Sequence, residues 1–415
     1  MSRSDVVVLG AGIVGVSVAL QLQARGRSVT LVDRRPPGEE TSFGNAGLIE
    51  RASVVPYSFP RELAVLARYA LNHNIDARYD PLFAPRLTSW LFRFWYNSAP
   101  ERLKRISADM LPLIRQCLDE HKALIAAADL GHLIREVGWI EVFRKEDSLK
   151  TGIEEAADIY APHGLRYDVL DVEALKAREP HLSDVVVGGV HWLDPASILD
   201  PGALVKGYAA LFEKRGGTFA IGDARSLETA PGGWRFKTAD GVGEAAEAVI
   251  ALGPWSDDVY RDLGYDFPLA VKRGYHMHYA PAGNAVLNHT LLDVDSGFLL
   301  ATMNKGVRLT TGVEFADRDA PPSPIQLDRA EPVARELFPI GERLDPEPWL
   351  GRRPCMPDMK PVIGRAPRHA GLWFAFGHNH HGLTLGPVTG RLLAEMMTGA
   401  ETFTDPTPYG ADRFD

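Results

Sequence analysis

The chain has 415 residues and a formal net charge of −9, with 45% hydrophobic and 24% charged residues. That length is too great for one ordinary core and fits two intertwined domains, and the composition is that of a soluble globular protein. No basic run is dense enough to follow a phosphate backbone, which argues against a nucleic-acid partner.

From the N-terminus, Val6 to Leu9 is a short continuous apolar run, as in a buried parallel strand. Gly10, Ala11 and Gly12 turn the chain, Ile13 to Arg25 has a helical pattern stopped by Gly26, and Val29 to Val32 predicts a second strand. The unit is βαβ with a right-handed crossover. The apolar stretch from Val6 to Leu22 is broken at Gly10, Gly12 and Gly15, spacings that a secretory signal does not need, so it reads as mature structure. No uninterrupted apolar segment approaches the roughly 20 residues of a membrane span. With only Cys117 and Cys355 there is no disulfide framework and no cysteine metal site, and a reducing cytoplasm fits best.

"GAGIVG" at 10–15 matches GxGxxG in the context that gives the pattern meaning. Gly10 permits the tight turn, Gly12 lets a pyrophosphate approach the backbone beside Ile13 and Val14, and Gly15 lets helix and strand pack closely. Asp33, 18 residues after Gly15 and followed by Arg34, is placed to accept hydrogen bonds from an adenosine ribose. A dinucleotide is implied, and this motif alone does not choose between FAD and NAD.

The next segment bears on that choice. A nicotinamide enzyme usually continues its Rossmann repeat here, but this chain leaves through "TSFGNAG" (41–47) into a long insertion. Thr41, Ser42, Asn45, Ala46, Gly47 and Leu48 offer small side chains and backbone N–H groups to a cofactor lying along them. From Tyr57 to Lys122 the texture predicts helices rich in aromatics, and Gly138 to Tyr167 a strand and then a helix. Asp200 to Arg215 predicts a helix and Thr218 to Ile221 a strand, with further strands near 271–279, 297–303 and 306–313. The last helix is predicted in "PVTGRLLAEMMTG", with Pro387 in its first turn and Gly399 ending it, followed by an irregular surface tail.

"ETSFGNAG", "VIALGPWS" (249–256), "GRRPCMPDMKPVIG" (351–364) and "GHNHHGLTLGPVTGRLLAEMMTG" (377–399) occur in this order. Together they resemble the D-amino-acid dehydrogenase branch of the D-amino-acid oxidase and glycine oxidase family of FAD enzymes, over nearly the whole chain. The resemblance implies an α/β, two-domain fold. Residues 1–50, 197–260 and 350–405 would form the Rossmann-like FAD-binding domain, and 51–196 and 261–349 a discontinuous mixed-sheet substrate domain. It implies adenine contact at Ala224, cofactor contacts at Gly253 and Trp255, and a final loop of Gly382, Leu383 and Thr384 whose N–H groups stabilise negative charge on the reduced ring.

Arg353, in the segment similar to the family's GxRP motif, is implied to hold the substrate carboxylate with its planar fork, whereas Arg352 would point to the opposite strand face. His380 falls where the family puts a flavin-edge or substrate-contacting residue, and a structural role is equally open. His276 and His278 alternate with Tyr275 and Met277, so one face of that strand is a candidate pocket wall; Tyr275 and His276 join Arg353 and His380 as candidate catalytic residues. His378, His380 and His381 are not read as a metal site, because no Cys, Asp or Glu stands near them in sequence.

Two departures stand out. Phe298 occupies the position of a pocket Tyr in the family's oxidases, and Cys355 lies too close to Pro357-Asp358 for the covalent flavin attachment of the related sarcosine oxidases. Dissociable FAD is therefore expected. The implied activity is oxidation of D-amino acids to imino acids, with D-proline or D-hydroxyproline favoured by Phe298 and the aromatics. Alternatives are an oxidase or dehydrogenase of glycine, sarcosine or another N-substituted amino acid, and an accessory flavin subunit. The electron acceptor (quinone or another carrier), the oligomeric state and a peripheral membrane contact through the Trp90 to Tyr96 cluster are left open by the sequence.

Overall fold

The computed structural model describes residues 3–414. Its opening unit is the expected one: strand Ser4–Leu9, helix Ile13–Gln23 and strand Val29–Asp33, with Val6 opposite Val29 in parallel register. Strand Thr218–Ala230 extends this sheet beyond Val29–Asp33, and Gly241–Ile250 and then Leu372–Phe376 extend it beyond Ser4–Leu9, all in parallel. Strand Gly233–Thr238 pairs antiparallel with both Thr218–Ala230 and Gly241–Ile250, and Val362–Arg365 completes the seven strands. The central strands are apolar on both faces because both are covered, as parallel sheets require.

Helices Ile13–Gln23 and Gly382–Thr398 cross closely because Gly386 and Gly390, one turn apart, lie against Ile13 and Ser17; a Cβ would stand 2.8 and 2.7 Å from atoms of those residues. The last helix begins five residues before the predicted start, so Pro387 lies inside it. A proline there cannot bond the carbonyl four residues back. That carbonyl, of Leu383, is instead taken by the buried His121 Nε2 at 2.7 Å.

An eleven-stranded mixed sheet forms the second layer, built around strand Ala270–Pro281. This strand pairs antiparallel with Gly306–Thr310, Val313–Phe315, Ile340–Arg343 and Trp349–Cys355. The boundary drawn at residue 350 therefore falls inside a strand that belongs to this second sheet. A three-stranded sheet of Leu48–Ile49, Ala196–Ile198 and Ile134–Arg135 joins the segments leading from one layer to the other.

The insertion is helical at Leu63–Ala70, Thr88–Asn97 and Pro100–Ala127, but Ala77–Tyr79 is a strand paired with Val313–Phe315, too short to show a period in sequence. The C-terminal tail is pinned to the body: Tyr409 is buried and Arg413 pairs with Asp358 at 2.8 Å.

Candidate active site

A single cavity of about 1260 Å³ runs from the glycine turn of the first sheet to the face of the second. This exceeds the roughly 300–1000 Å³ of ordinary small-molecule pockets and suits an extended cofactor with substrate room beside it. Gly10, Gly12, Ile13 and Val14 line one end. At Gly10, with φ +108°, a Cβ would lie 2.4 Å from the Ala251 carbonyl oxygen, and at Gly15 it would lie 1.8 Å from that of Gly10. Gly12 caps the helix without a side chain, and its nearest neighbour is Ser42 Oγ at 3.3 Å from such a Cβ. Gly15 is therefore a packing glycine, while Gly12 keeps the helix N-terminus open to the cavity.

Asp33 accepts hydrogen bonds from Ala11 N at 2.6 Å and Arg35 N at 3.1 Å, tying the second strand to the glycine turn. Arg34 pairs with Glu40 at 2.7 Å and stacks 4.3 Å over Trp255, whose ring also has Arg352 at 5.9 Å. With Ala224 and Gly253 these groups form an aromatic and cationic wall. Arg352 thus lines the cavity as well, which the strand alternation alone did not anticipate.

The "TSFGNAG" loop is held from four sides. Ser42 Oγ accepts from Ile13 N at 3.0 Å, and Thr41 Oγ1 donates to Arg352 O at 3.0 Å. Asn45 Oδ1 accepts from Gly47 N at 2.8 Å, while Arg308 donates to the Asn45 carbonyl. Ala46, Leu48, Gly382 and Leu383 line the cavity beside it. Gly47 instead turns the chain at φ +79° against Ile198, and Thr384 Oγ1 joins Glu50 N (3.1 Å) to Leu48 O (3.3 Å), so both act by holding the loop.

At the far end Arg353 stands directly opposite Lys272 across the antiparallel pair. Its guanidinium folds over Gly274 and donates from Nη1 to Gly312 O at 2.9 Å. Among the described residues no carboxylate forms an ion pair with it, and burial lowers its pKa from the ordinary value. The register explains why Tyr275 does not join it. Even-numbered residues of Ala270–Pro281 share the face of Arg353, and Tyr275 has the other parity. Tyr275 still borders the cavity, but its hydroxyl is taken up by Arg273 (2.7 Å), Glu314 (2.8 Å) and Ser323 N (2.8 Å). His276 has the right parity but is covered: Trp349 stacks on it at 4.9 Å, and its Nδ1 meets the Gly44 carbonyl at 3.2 Å. Both candidates brace the walls, so neither offers a group to substrate in this geometry.

His380 does line the cavity, 4.8 Å from the ring of Tyr57 and in contact with His381 through their Nε2 atoms. His381 Nε2 also meets Ser53 Oγ at 3.3 Å and lies 4.0 Å from Glu50 Oε2. The donor atoms of Glu50, His380 and His381 all fall within 4.8 Å of one another. The acid that the sequence neighbourhood of these histidines lacks is thus present in space, because the chain returns Glu50 to them from 330 residues away. His378 faces elsewhere, with Nε2 3.0 Å from Thr389 Oγ1.

These features agree with a match of residues 5–396 to the family described as DAO, FAD dependent oxidoreductase. The chain belongs to this family of FAD-dependent oxidoreductases. The D-amino acid dehydrogenase of Vibrio cholerae is 30% identical over 96% of both chains, and D-amino acid dehydrogenase 2 of Mesorhizobium japonicum is 31% identical over 97% of this chain and 98% of its own. Among solved structures, glycine oxidase from Geobacillus kaustophilus superposes with a TM-score of 0.77 at 19% identity over 99% of this chain and 98% of its own. L-proline dehydrogenase from P. horikoshii gives 0.73 at 18% over 100% and 98%. The two-domain fold and the use of FAD expected from the sequence both hold.

The cavity fits that cofactor. The open helix N-terminus at Gly12 suits a pyrophosphate, and the 41–48 loop with Gly382 and Leu383 suits the ring end. Sequence reasoning missed Glu50, Tyr57 and Lys272. Glu50 had a signal, being the first charged residue after the cofactor loop; Lys272 had none without the strand register.

Burial pushes the Glu50 carboxyl up to about 7, despite a hydrogen bond from Ser53 and the charge of Arg353. Between pH 4.5 and about 7 the folded protein holds a proton that the unfolded chain has lost, so stability falls as pH rises through that window. Glu50→Gln removes this slope. The unfolding free energy of the wild type relative to the variant is expected to fall by on the order of 3 kcal/mol across the window, measured by urea titration. A difference that does not change with pH contradicts the buried-acid reading.

Proposed function

We propose that this flavoenzyme oxidises D-amino acids, and that Arg353 is the carboxylate clamp. The observation that carries the reading is a partly buried guanidinium that forms no ion pair among the described residues and faces the same cavity as the glycine turn and the 41–48 loop. FAD, when bound, supplies the acceptor for the two electrons and hydrogen leaving Cα, and the resulting imino acid is hydrolysed by water to a 2-oxo acid and ammonia. The protein's part is positioning: Arg353 fixes the carboxylate, Phe298 and Tyr57 bound the space beside it, and the neutral imidazoles of His380 and His381 add no competing charge. The names of the relatives support the D configuration, and those named dehydrogenase support a carrier other than oxygen, although a Bradyrhizobium diazoefficiens relative is named D-amino-acid oxidase. Cys355 is buried in a strand with its thiol pKa raised by burial, which supports dissociable FAD. The test is conversion of a D-amino acid panel with an artificial dye as acceptor, scored by 2-oxo acid and ammonia. Dye reduction by D substrates with equimolar products supports the reading, and no product from any D-amino acid removes it.

We further infer that the insertion rests on an anionic membrane surface, where a quinone would take the electrons. Leu63, Leu71, Leu82 and Phe92 are 83%, 69%, 90% and 62% exposed. Residues 61–105 hold eight Lys or Arg against four Asp or Glu, in a chain of net charge −9. No helix among the described residues is long and apolar enough to cross a membrane. Sedimentation with phosphatidylglycerol vesicles but not with phosphatidylcholine, reduced several-fold by Leu82→Asp, is the expected result. Failure to sediment with either lipid contradicts it.

A further inference from the structure

Lys272 is a second cation on the cavity wall, and the reaction above gives it no task. Its ammonium sits 4.0 Å from the ring centre of Phe94, 5.3 Å from Trp90 and 5.7 Å from Phe315. No acidic residue is among the groups that act on it, and the Arg353 guanidinium acts against its charge. Facing aromatic rings favour the protonated form but leave its three N–H groups without acceptors.

Lys272 and Arg353 are also cross-strand partners on one face, an arrangement of like charges that disfavours folding. Both line the same cavity, and Glu50 is the acid whose charge reaches Arg353. Other acids and cations line the cavity elsewhere, but of its carboxyls only Glu50 acts on this pair, so positive charge is in excess at this end. An amino acid with a second carboxylate matches it, with one acid group for each cation. Cross-strand neighbours have Cβ atoms about 5 Å apart, which carboxylates separated by two or three carbons can span.

Resting on the oxidation proposed above, we propose that Lys272 binds a second carboxylate and that acidic D-amino acids of the aspartate and glutamate type are the favoured substrates. The compact apolar ring anticipated from Phe298 would leave this ammonium unanswered.

The test uses the holoenzyme with its flavin spectrum as reporter of binding. Glutarate and succinate are expected to bind at least tenfold more tightly than butyrate. In Lys272→Met the glutarate-to-butyrate affinity ratio should fall to near one, and Lys272→Arg should restore most of it. FAD content and melting temperature show whether each variant is folded, and the wild-type comparison needs no variant. Equal affinities of the wild type for glutarate and butyrate overturn the proposal, as does a ratio untouched by Lys272→Met. Anaerobic reduction separates the two claims. Reduction by D-norvaline and D-proline as fast as by D-glutamate removes the acidic preference and leaves D-amino-acid oxidation standing; no reduction by any D-amino acid removes both.

Discussion

Arg353→Ala is expected to lower kcat/KM for the favoured D-amino acid by roughly two to four powers of ten, about 3–5 kcal/mol. The reason is geometric as much as electrostatic. Arg353 Nη1 is anchored on Gly312 O at 2.9 Å, which aims the rest of the planar group into the cavity. Removing it leaves a carboxylate in a buried site without its two parallel hydrogen bonds. Arg353→Lys should recover only part of the loss, since a point charge cannot reproduce the fork. Steady-state kinetics on protein of confirmed FAD content is the measurement, and a near-normal kcat/KM for the alanine variant would falsify the clamp.

Gly15→Ala should be severely damaging for a single added methyl group. Its Cβ would lie 1.8 Å from the Gly10 carbonyl oxygen and 3.0 Å from the Gly10 carbonyl carbon, and neither can rotate aside because both are backbone. The helix must lift from the strand, moving Gly12 away from the dinucleotide. A stability loss of about 3 kcal/mol or more, with protein recovered largely free of flavin, is expected. Gly131→Ala is the control, because nothing lies within 4 Å of a Cβ there and its backbone is unstrained. Equal flavin content and melting temperature in the two variants would show that the close approach at Gly15 does not matter.

Both predictions bear on what the sequence revealed. The glycine turn was legible because its logic is local: strand, three spaced glycines, helix and acid all lie within residues 4–33. The 41–48 loop was legible as a wall of the cavity because its small polar residues had no structural period to serve. The substrate end was not legible in the same way. Which side chains meet there depends on the register of strands 270–281 and 349–355, some 80 residues apart. A shift of one residue exchanges Lys272 for Arg273 opposite Arg353 and turns Tyr275 toward the cavity. Parity within one strand, visible in "RGYHMHY", could say that Tyr275 and His276 face opposite ways but not which faces inward, nor that Trp349 would cover His276. The Glu50 to His381 contact likewise depends on two chain ends meeting, and so does the pairing of His121 with the carbonyl freed by Pro387. Local pattern located the glycine turn and the 41–48 wall of the cavity, and long-range pairing chose the side chains at its far end.

Anaerobic mixing of the flavin-loaded protein with matched D and L enantiomers, followed through the flavin's visible absorbance, tests the central claim most directly. The account predicts rapid bleaching by D enantiomers, slow or none by their L partners, and bleaching by D enantiomers slowed at least about a hundredfold in Arg353→Ala at the same concentrations. A spectrum unchanged by every D-amino acid, or bleached faster by the L forms, would contradict it.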